Sequence, residues 1–123
     1  MEFDELSNRV IGCAIEVHRC LGPGLLESTC EQCLVYEMST SQIPLQLQLS
    51  LPVQYNGVNL DCGYRMDFLV AGSFVLELKR VERVLRIDEA QLLTYMKLSR
   101  IKIGLLINFN AELLKDGIKR FVL

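Results

Sequence analysis

Three charged residues stand in apolar surroundings, at spacings where a chemical role is expected. Asp67 lies in the run 64–70, and Glu77 and Lys79 lie in the run 74–79. Side chains alternate across a β-strand, so Glu77 and Lys79 share one face of their predicted strand. Burying charge is costly unless the groups are paired or bind a metal. Two carboxylates that meet across neighbouring strands could hold one hard divalent cation, with the lysine beside it.

Such a set of groups suits the hydrolysis of a phosphodiester, which needs a metal, a nucleophile and charge compensation. A magnesium-bound water would attack, and Lys79 would orient or help deprotonate that water or stabilise charge on the phosphate. Gln91 and Tyr95 are four residues apart, so on a helix they share a face that could touch substrate or water. The spacing of the three charges alone is weak evidence for such a site, and the simplest alternative is a surface ion pair between Glu77 and Lys79.

The elements that must position these residues can be predicted from periodicity and turn signals. A turn at 71–73 between two apolar runs predicts a β-hairpin. Strict alternation over 45–53 predicts a half-buried strand, with Pro52 at an edge or strand end, and Asn56-Gly57 predicts a second hairpin turn. Helical spacing and breakers predict the remaining elements. The predicted helices span 3–21, 25–41 and 87–99, the predicted strands span 45–53, 58–70, 74–79, 101–109 and 118–123, and a short turn or helix spans 111–117.

This order of elements, ααβββαβ(α)β, predicts an α/β (α+β) fold in which helices flank a mixed β-sheet. The length of 123 residues predicts a single domain over 1–123. An acidic N-terminus without a signal peptide and the lack of a long apolar run predict a cytoplasmic protein with no membrane partner.

The net charge of −2 is unevenly distributed. Residues 1–61 contain two basic and eight acidic residues, whereas residues 62–123 contain eleven basic and seven acidic residues. Seven of these cations fall between Lys79 and Lys102. They predict either a local basic face beside the hairpin or an ordinary solvated helix face.

The five cysteines and the single histidine permit a different reading. An odd number of cysteines argues against a disulfide framework. Cys13 and Cys20 are seven apart, as core residues of one helix face would be, and Cys30 and Cys33 form one CxxC. Buried thiols and a hydrogen-bonded structural His18 are the simpler interpretation. A cysteine-based metal or redox site would need a further ligand near Cys30 and Cys33.

The motifs together resemble a known group of proteins. Asp67, Glu77-Leu78-Lys79 and Gln91–Tyr95 resemble the PD-(D/E)xK nuclease superfamily, in its RecB-like branch with a Gln-xxx-Tyr (QxxxY) motif. More narrowly, nearly the whole chain is similar to the small GxxExxY protein family. The segments that carry this similarity are 16–18, 21–27, 63–67, 76–79, 89–95, 104–109 and 114–120.

The resemblance implies a restriction-endonuclease-like core and a cation site on the hairpin. Asp67 and Glu77 would be ligands of Mg²⁺ or Mn²⁺, and Lys79 would be the catalytic lysine. Glu27 would be a helix-borne acid that completes or approaches the metal site.

Two further implications concern the helices. Gln91 and Tyr95 would be helix-borne polar partners of the site. The family's tyrosine three residues after Glu27 is Cys30 in this chain, so a phenol and its hydrogen bond are missing there.

These observations favour a magnesium-dependent enzyme that hydrolyses phosphodiester bonds of nucleic acid, DNA more than RNA. Overall acidity and small size oppose tight independent DNA binding, because phosphate contacts supply most non-specific affinity. A homodimer or a partner protein would supply the missing surface. The alternative is a non-catalytic module that keeps the fold and binds a protein or nucleic acid.

Overall fold

The computed structural model describes residues 4–24 and 26–123. Its elements follow the predicted order ααβββαβ(α)β, and the bracketed helix is a single 3-10 turn. In chain order they are α1 (Glu5–Leu21), α2 (Glu27–Thr40), β1 (Leu45–Tyr55), β2 (Val58–Val70), β3 (Phe74–Lys79), α3 (Arg86–Ser99), β4 (Ile103–Asn108), the 3-10 helix (Leu114–Gly117) and β5 (Ile118–Val122).

The five strands form one mixed sheet in the order β1-β2-β3-β4-β5. Strands β3 and β4 are parallel because α3 carries the chain across between them, and the other neighbours are antiparallel. Apolar side chains cover both faces of the sheet. One face packs against α1 and α2, and the other packs against α3. The prediction of a mixed sheet flanked by helices is therefore confirmed.

Strand β1 changes faces at Gln48. Leu45 packs with the α1–α2 side of the core, whereas Leu49 and Leu51 pack on the α3 side. Gln48 lies between them in the left-handed region, with φ of 51°. Because an L-residue in that region breaks the strict alternation of a strand, the side chains beyond it turn towards α3.

Beyond this kink, β1 and β2 continue as a two-stranded β-arm (residues 49–66). Strand β2 pairs with β3 only over 68–70, whereas it pairs with β1 along its whole length. The predicted turn at Asn56-Gly57 closes the arm. Pro52 lies at a register shift on the edge strand β1, as its lack of an N–H predicts. Most of the arm is exposed on both faces.

One detail of the helix predictions is wrong. Cys20 was expected in the core, but it lies exposed in the last turn of α1, where its thiol donates to Glu16. The predicted helix starts at Phe3 and Leu25 lie outside the described residues. None of the helices in the described ranges is both long and apolar enough to cross a bilayer.

Candidate metal and catalytic site

Asp67 occupies the point where β2 separates from β3. The pairing of β2 with β3 ends at Phe68 opposite Leu76, so the backbone N–H of Leu78 finds no backbone acceptor on β2. The side chain of Asp67 takes the place of that acceptor, since its Oδ2 accepts a hydrogen bond of 3.0 Å from the N–H of Leu78. This bond holds the carboxyl of Asp67 against β3, on the same side as Glu77.

Glu77 is a buried carboxyl in an apolar strand, with only 5% of its surface exposed. Its Oε2 is buried without a hydrogen-bond partner among the described residues. Burial raises the pKa of Glu77 to about 9, and the hydrogen-bond contact with Asp67 and the negative charge of Asp67 contribute to the rise. Lys79 opposes that rise. Without a cation, Glu77 therefore carries a proton at neutral pH.

Lys79 points towards the first turns of α3. Its Nζ donates a hydrogen bond of 3.2 Å to Oε1 of Gln91 and lies 3.9 Å from Oδ1 of Asp88. Lys79 does not form the surface ion pair with Glu77 that was the alternative interpretation of their spacing. Glu77 is buried, and the ammonium of Lys79 pairs with Asp88 instead. The structure therefore brings the face of α3 that carries Gln91 to the hairpin.

Gln91 links Lys79 to Tyr95. Its Nε2 donates a hydrogen bond of 2.8 Å to the hydroxyl of Tyr95, which is 5% exposed. Burial raises the pKa of the Tyr95 phenol, and the charges of Glu77 and Asp67 raise it further. The phenol therefore remains protonated at neutral pH. Because Gln91 is the donor in this contact, the phenol proton stays available for another acceptor.

Glu27 lies in the first turn of α2, and its side chain is exposed. Partial desolvation raises the pKa of Glu27, and the negative charge of Asp67 raises it further, while Lys79 lowers it. These couplings place Glu27 within electrostatic reach of the Asp67–Glu77 pair. Within 4–24 and 26–123, no three His, Cys, Asp or Glu groups stand close enough to hold a metal ion together. Glu27 thus approaches the two strand carboxyls but does not join them in a three-carboxylate cluster.

The donors at Asp67 and Glu77 fit a hard divalent cation. Both are carboxylates, the ligand type that Mg²⁺ uses in proteins. The orphaned Oε2 of Glu77 has a buried lone pair that a cation would satisfy, and the proton that Glu77 carries would then leave.

The cysteines and His18 form no comparable site. His18 contacts the carbonyl oxygen of Ala111 through Nε2 at 2.7 Å, which is the predicted structural role. All the cysteines are free thiols, and Cys30 and Cys33 have no third ligand group in the part of the chain that the structure describes. The cysteine-based metal hypothesis therefore has no structural support.

Two residues near the site were missed from the sequence. Asp88 pairs with Lys79, and its Oδ2 also accepts a 2.8 Å hydrogen bond from the N–H of Leu85 at the start of α3. An acid in the first turn of a helix is a capping signal, which could have indicated the bond to Leu85 but not the ion pair.

Asn108, the second missed residue, ends β4 directly opposite Lys79 and is buried. Its Oδ1 accepts from the N–H of Val81 and of Asn110, and its Nδ2 donates to the carbonyl of Val81. These bonds fix the chain that leaves β3 after the lysine. A polar residue that ends a buried apolar strand was the available signal.

Comparison with known proteins identifies the family. A family model described as the PD-(D/E)XK nuclease superfamily matches residues 4–121, which is nearly the whole chain. No curated protein and no solved structure gave a match. Nucleases of this superfamily generally use divalent metals. With a matching family model and a mixed sheet flanked by helices, the chain belongs to the PD-(D/E)XK nuclease superfamily.

Proposed function

We propose that this protein is a divalent-metal-dependent nuclease that hydrolyses phosphodiester bonds of nucleic acid, DNA more than RNA, with its active site at Asp67, Glu77 and Lys79. Within the superfamily we place it in the GxxExxY group with a QxxxY motif. The observation that carries this proposal is the buried carboxyl of Glu77. Its Oε2 lacks a partner among the described residues, and it lies against Asp67 in a strand that is otherwise apolar.

Asp67 and Glu77 would hold the cation, Mg²⁺ or Mn²⁺, and Glu27 would approach it from α2. When bound, such a cation supplies Lewis-acid stabilisation of the phosphate and lowers the pKa of a water molecule. The bond from Leu78 N–H to Asp67 fixes that carboxyl before the cation arrives. Burial of Glu77 keeps bulk water from competing at its Oε2.

Lys79 would stabilise the negative charge that develops on the phosphate oxygens. An ammonium has three N–H donors, of which one points to Gln91 and one faces Asp88. The third remains for substrate. Gln91 is itself held by Tyr95, so its carbonyl oxygen stays turned towards the ammonium. Gln91 and Tyr95 would therefore position the lysine as well as contact substrate.

A cleavage assay on matched variants tests this proposal. Purified wild-type protein should cut members of a panel of single- and double-stranded DNA and RNA in magnesium. Asp67→Asn and Lys79→Ala should each lose this activity by at least 100-fold, since each removes a charged group from the transition state. Lys115→Ala serves as the control because Lys115 is an exposed lysine on the 3-10 helix, which packs on the α1–α2 side of the sheet. Cleavage that persists equally in all three variants would show that another protein or another site is responsible.

A test of metal binding separates the nuclease from the non-catalytic module. Magnesium or manganese should raise the melting temperature of the wild-type protein, because a ligand that binds only the native state stabilises it. Asp67→Asn should abolish that rise. If neither metal changes the melting temperature and the wild-type protein is inactive, the result would favour a non-catalytic module that keeps the fold to bind a partner.

A further inference from the structure

Tyr64 is a half-exposed aromatic residue that stands next to the candidate site without being part of it. It lies on β2, three residues before Asp67, and is 37% exposed. Its ring contacts Tyr95 edge-to-face, with centroids 6.1 Å apart and an interplanar angle of 77°. The contacts from Tyr95 to Gln91 and from Gln91 to Lys79 then connect Tyr64 with the site.

The position of Tyr64 in the β-arm explains why its ring is both anchored and open. Its cross-strand partner Leu51 is buried on the α3 side, so the base of the arm is packed. Beyond Tyr64 the register shifts and the arm leaves the core, with every residue from 58 to 63 exposed. Tyr64 therefore stands at the border between the packed and the free parts of the arm, on the side of the sheet that carries Lys79 and Gln91.

From these contacts we propose that Tyr64 is a stacking platform for an unpaired base of the substrate, next to the phosphate that is cut. The inference rests on the proposed nuclease function and adds a substrate class to it, namely nucleic acid with a single-stranded or unpaired nucleotide at the site. Aromatic side chains stack on bases of any sequence, but only where the base is not already stacked in a duplex.

The surroundings of Tyr64 suit this role. Lys79, a positive group for the nucleic-acid backbone, is linked to the ring through Gln91 and Tyr95, and Arg65 next to Tyr64 is exposed.

The absence of tryptophan from the sequence makes a direct test simple. In Tyr64→Trp the only indole stands at the proposed platform, so stacking on a base should quench its emission. Tyr36→Trp is the matched control, because Tyr36 is 67% exposed on α2, on the opposite side of the sheet. Each protein is titrated with a single-stranded DNA, the same sequence as RNA, and the blunt DNA duplex, with calcium in place of magnesium to limit cleavage.

We expect single-stranded DNA or RNA to quench Tyr64→Trp but not Tyr36→Trp, and the duplex to quench neither. Affinity is measured in parallel by the anisotropy of a labelled oligonucleotide. Tyr64→Ala should weaken single-strand binding by roughly 10-fold to 100-fold, whereas Tyr64→Phe should keep it, because the stacking surface is retained. Equal melting temperatures for Tyr64→Phe and wild-type protein confirm that the comparison is made on folded protein.

The outcomes separate this inference from the nuclease function on which it rests. If the protein cuts or binds nucleic acid but the Tyr64→Trp emission is unchanged, the stacking role is wrong and the nuclease function stands. The same holds if Tyr64→Ala and Tyr64→Phe bind equally well, or if the duplex quenches as strongly as the single strand. If no nucleic acid binds and none is cut, both proposals fall.

Discussion

Replacing Glu77 by glutamine should stabilise the metal-free protein at neutral pH. Burial, together with Asp67, raises the pKa of Glu77 from 4.5 to about 9. Between these two values the folded state binds a proton that the unfolded state releases. The free energy of unfolding therefore falls as the pH rises through this window. Glutamine does not titrate, and its amide can donate to Asp67 as the protonated acid does, so the variant escapes this loss.

The size of the effect follows from the pKa difference. Each pH unit above 4.5 removes about 1.4 kcal/mol from the wild-type protein, so at pH 7 the accumulated loss is about 3 kcal/mol. For a domain of this length that difference corresponds to a rise of roughly 10 °C in melting temperature. Well below pH 4.5 the advantage of Glu77→Gln should vanish, because wild-type Glu77 is then protonated in both states.

Thermal melts of the EDTA-treated proteins from pH 5 to pH 8 measure this. Glu82→Gln is the matched control, since Glu82 is an exposed glutamate in the loop after β3. Saturating magnesium should raise the wild-type melting temperature and leave Glu77→Gln nearly unchanged. A gain no larger than that of Glu82→Gln at pH 7, or one that stays constant across the pH range, would refute the account of Glu77 as a buried protonated acid.

Substitutions at three further positions test the framework around the site by chemical denaturation. Gln48→Gly should stabilise by about 1 kcal/mol, because glycine adopts the left-handed backbone at no steric cost, whereas Gln48→Val should destabilise by a similar amount. Gly104→Ala should lower the free energy of unfolding by about 1–3 kcal/mol, because the new Cβ would lie 2.6 Å from Sδ of Met96. Unchanged stability would mean that the Met96 side chain moves away without cost. Asn108→Ala should cost about 2–3 kcal/mol through its three lost bonds to backbone groups, while Asn108→Asp keeps the two bonds that the side chain accepts and should cost less.

Local patterns predicted the strands and the faces that carry the site. Alternation placed Glu77 and Lys79 on one face of β3, and the turn signal at 71–73 placed Asp67 beside them. The four-residue spacing of Gln91 and Tyr95 placed both on one face of α3, and the hydrogen bond between them agrees with it. Each of these predictions depends only on the period of a strand or a helix, which the sequence displays directly.

The parts that could not be predicted depend on how elements dock. Nothing in the residue type of Gln48 indicates a left-handed backbone, because only the need to turn the arm towards α3 requires it. The pairing of Lys79 with Asp88 depends on the angle at which α3 crosses the sheet. The distance of Glu27 from the strand carboxyls likewise depends on the docking of α2, so its sequence position could only suggest that it approaches the site.

The energetics of Glu77 favour a chemical role over a purely structural one. Its neighbours Leu76 and Leu78 are buried apolar residues. A neutral residue at position 77 would fold without taking up a proton, whereas burial makes Glu77 take one up at neutral pH. The lone pair of Oε2 that remains unmet among the described residues adds a second unfavourable term. Buried titratable groups that lower the stability of the free protein are typical of functional sites, where the bound ligand makes the missing interactions. A cation between Asp67 and Glu77 would remove both terms at once, because it displaces the proton and satisfies the oxygen, whereas a module that binds only through its surface would gain nothing from either carboxyl.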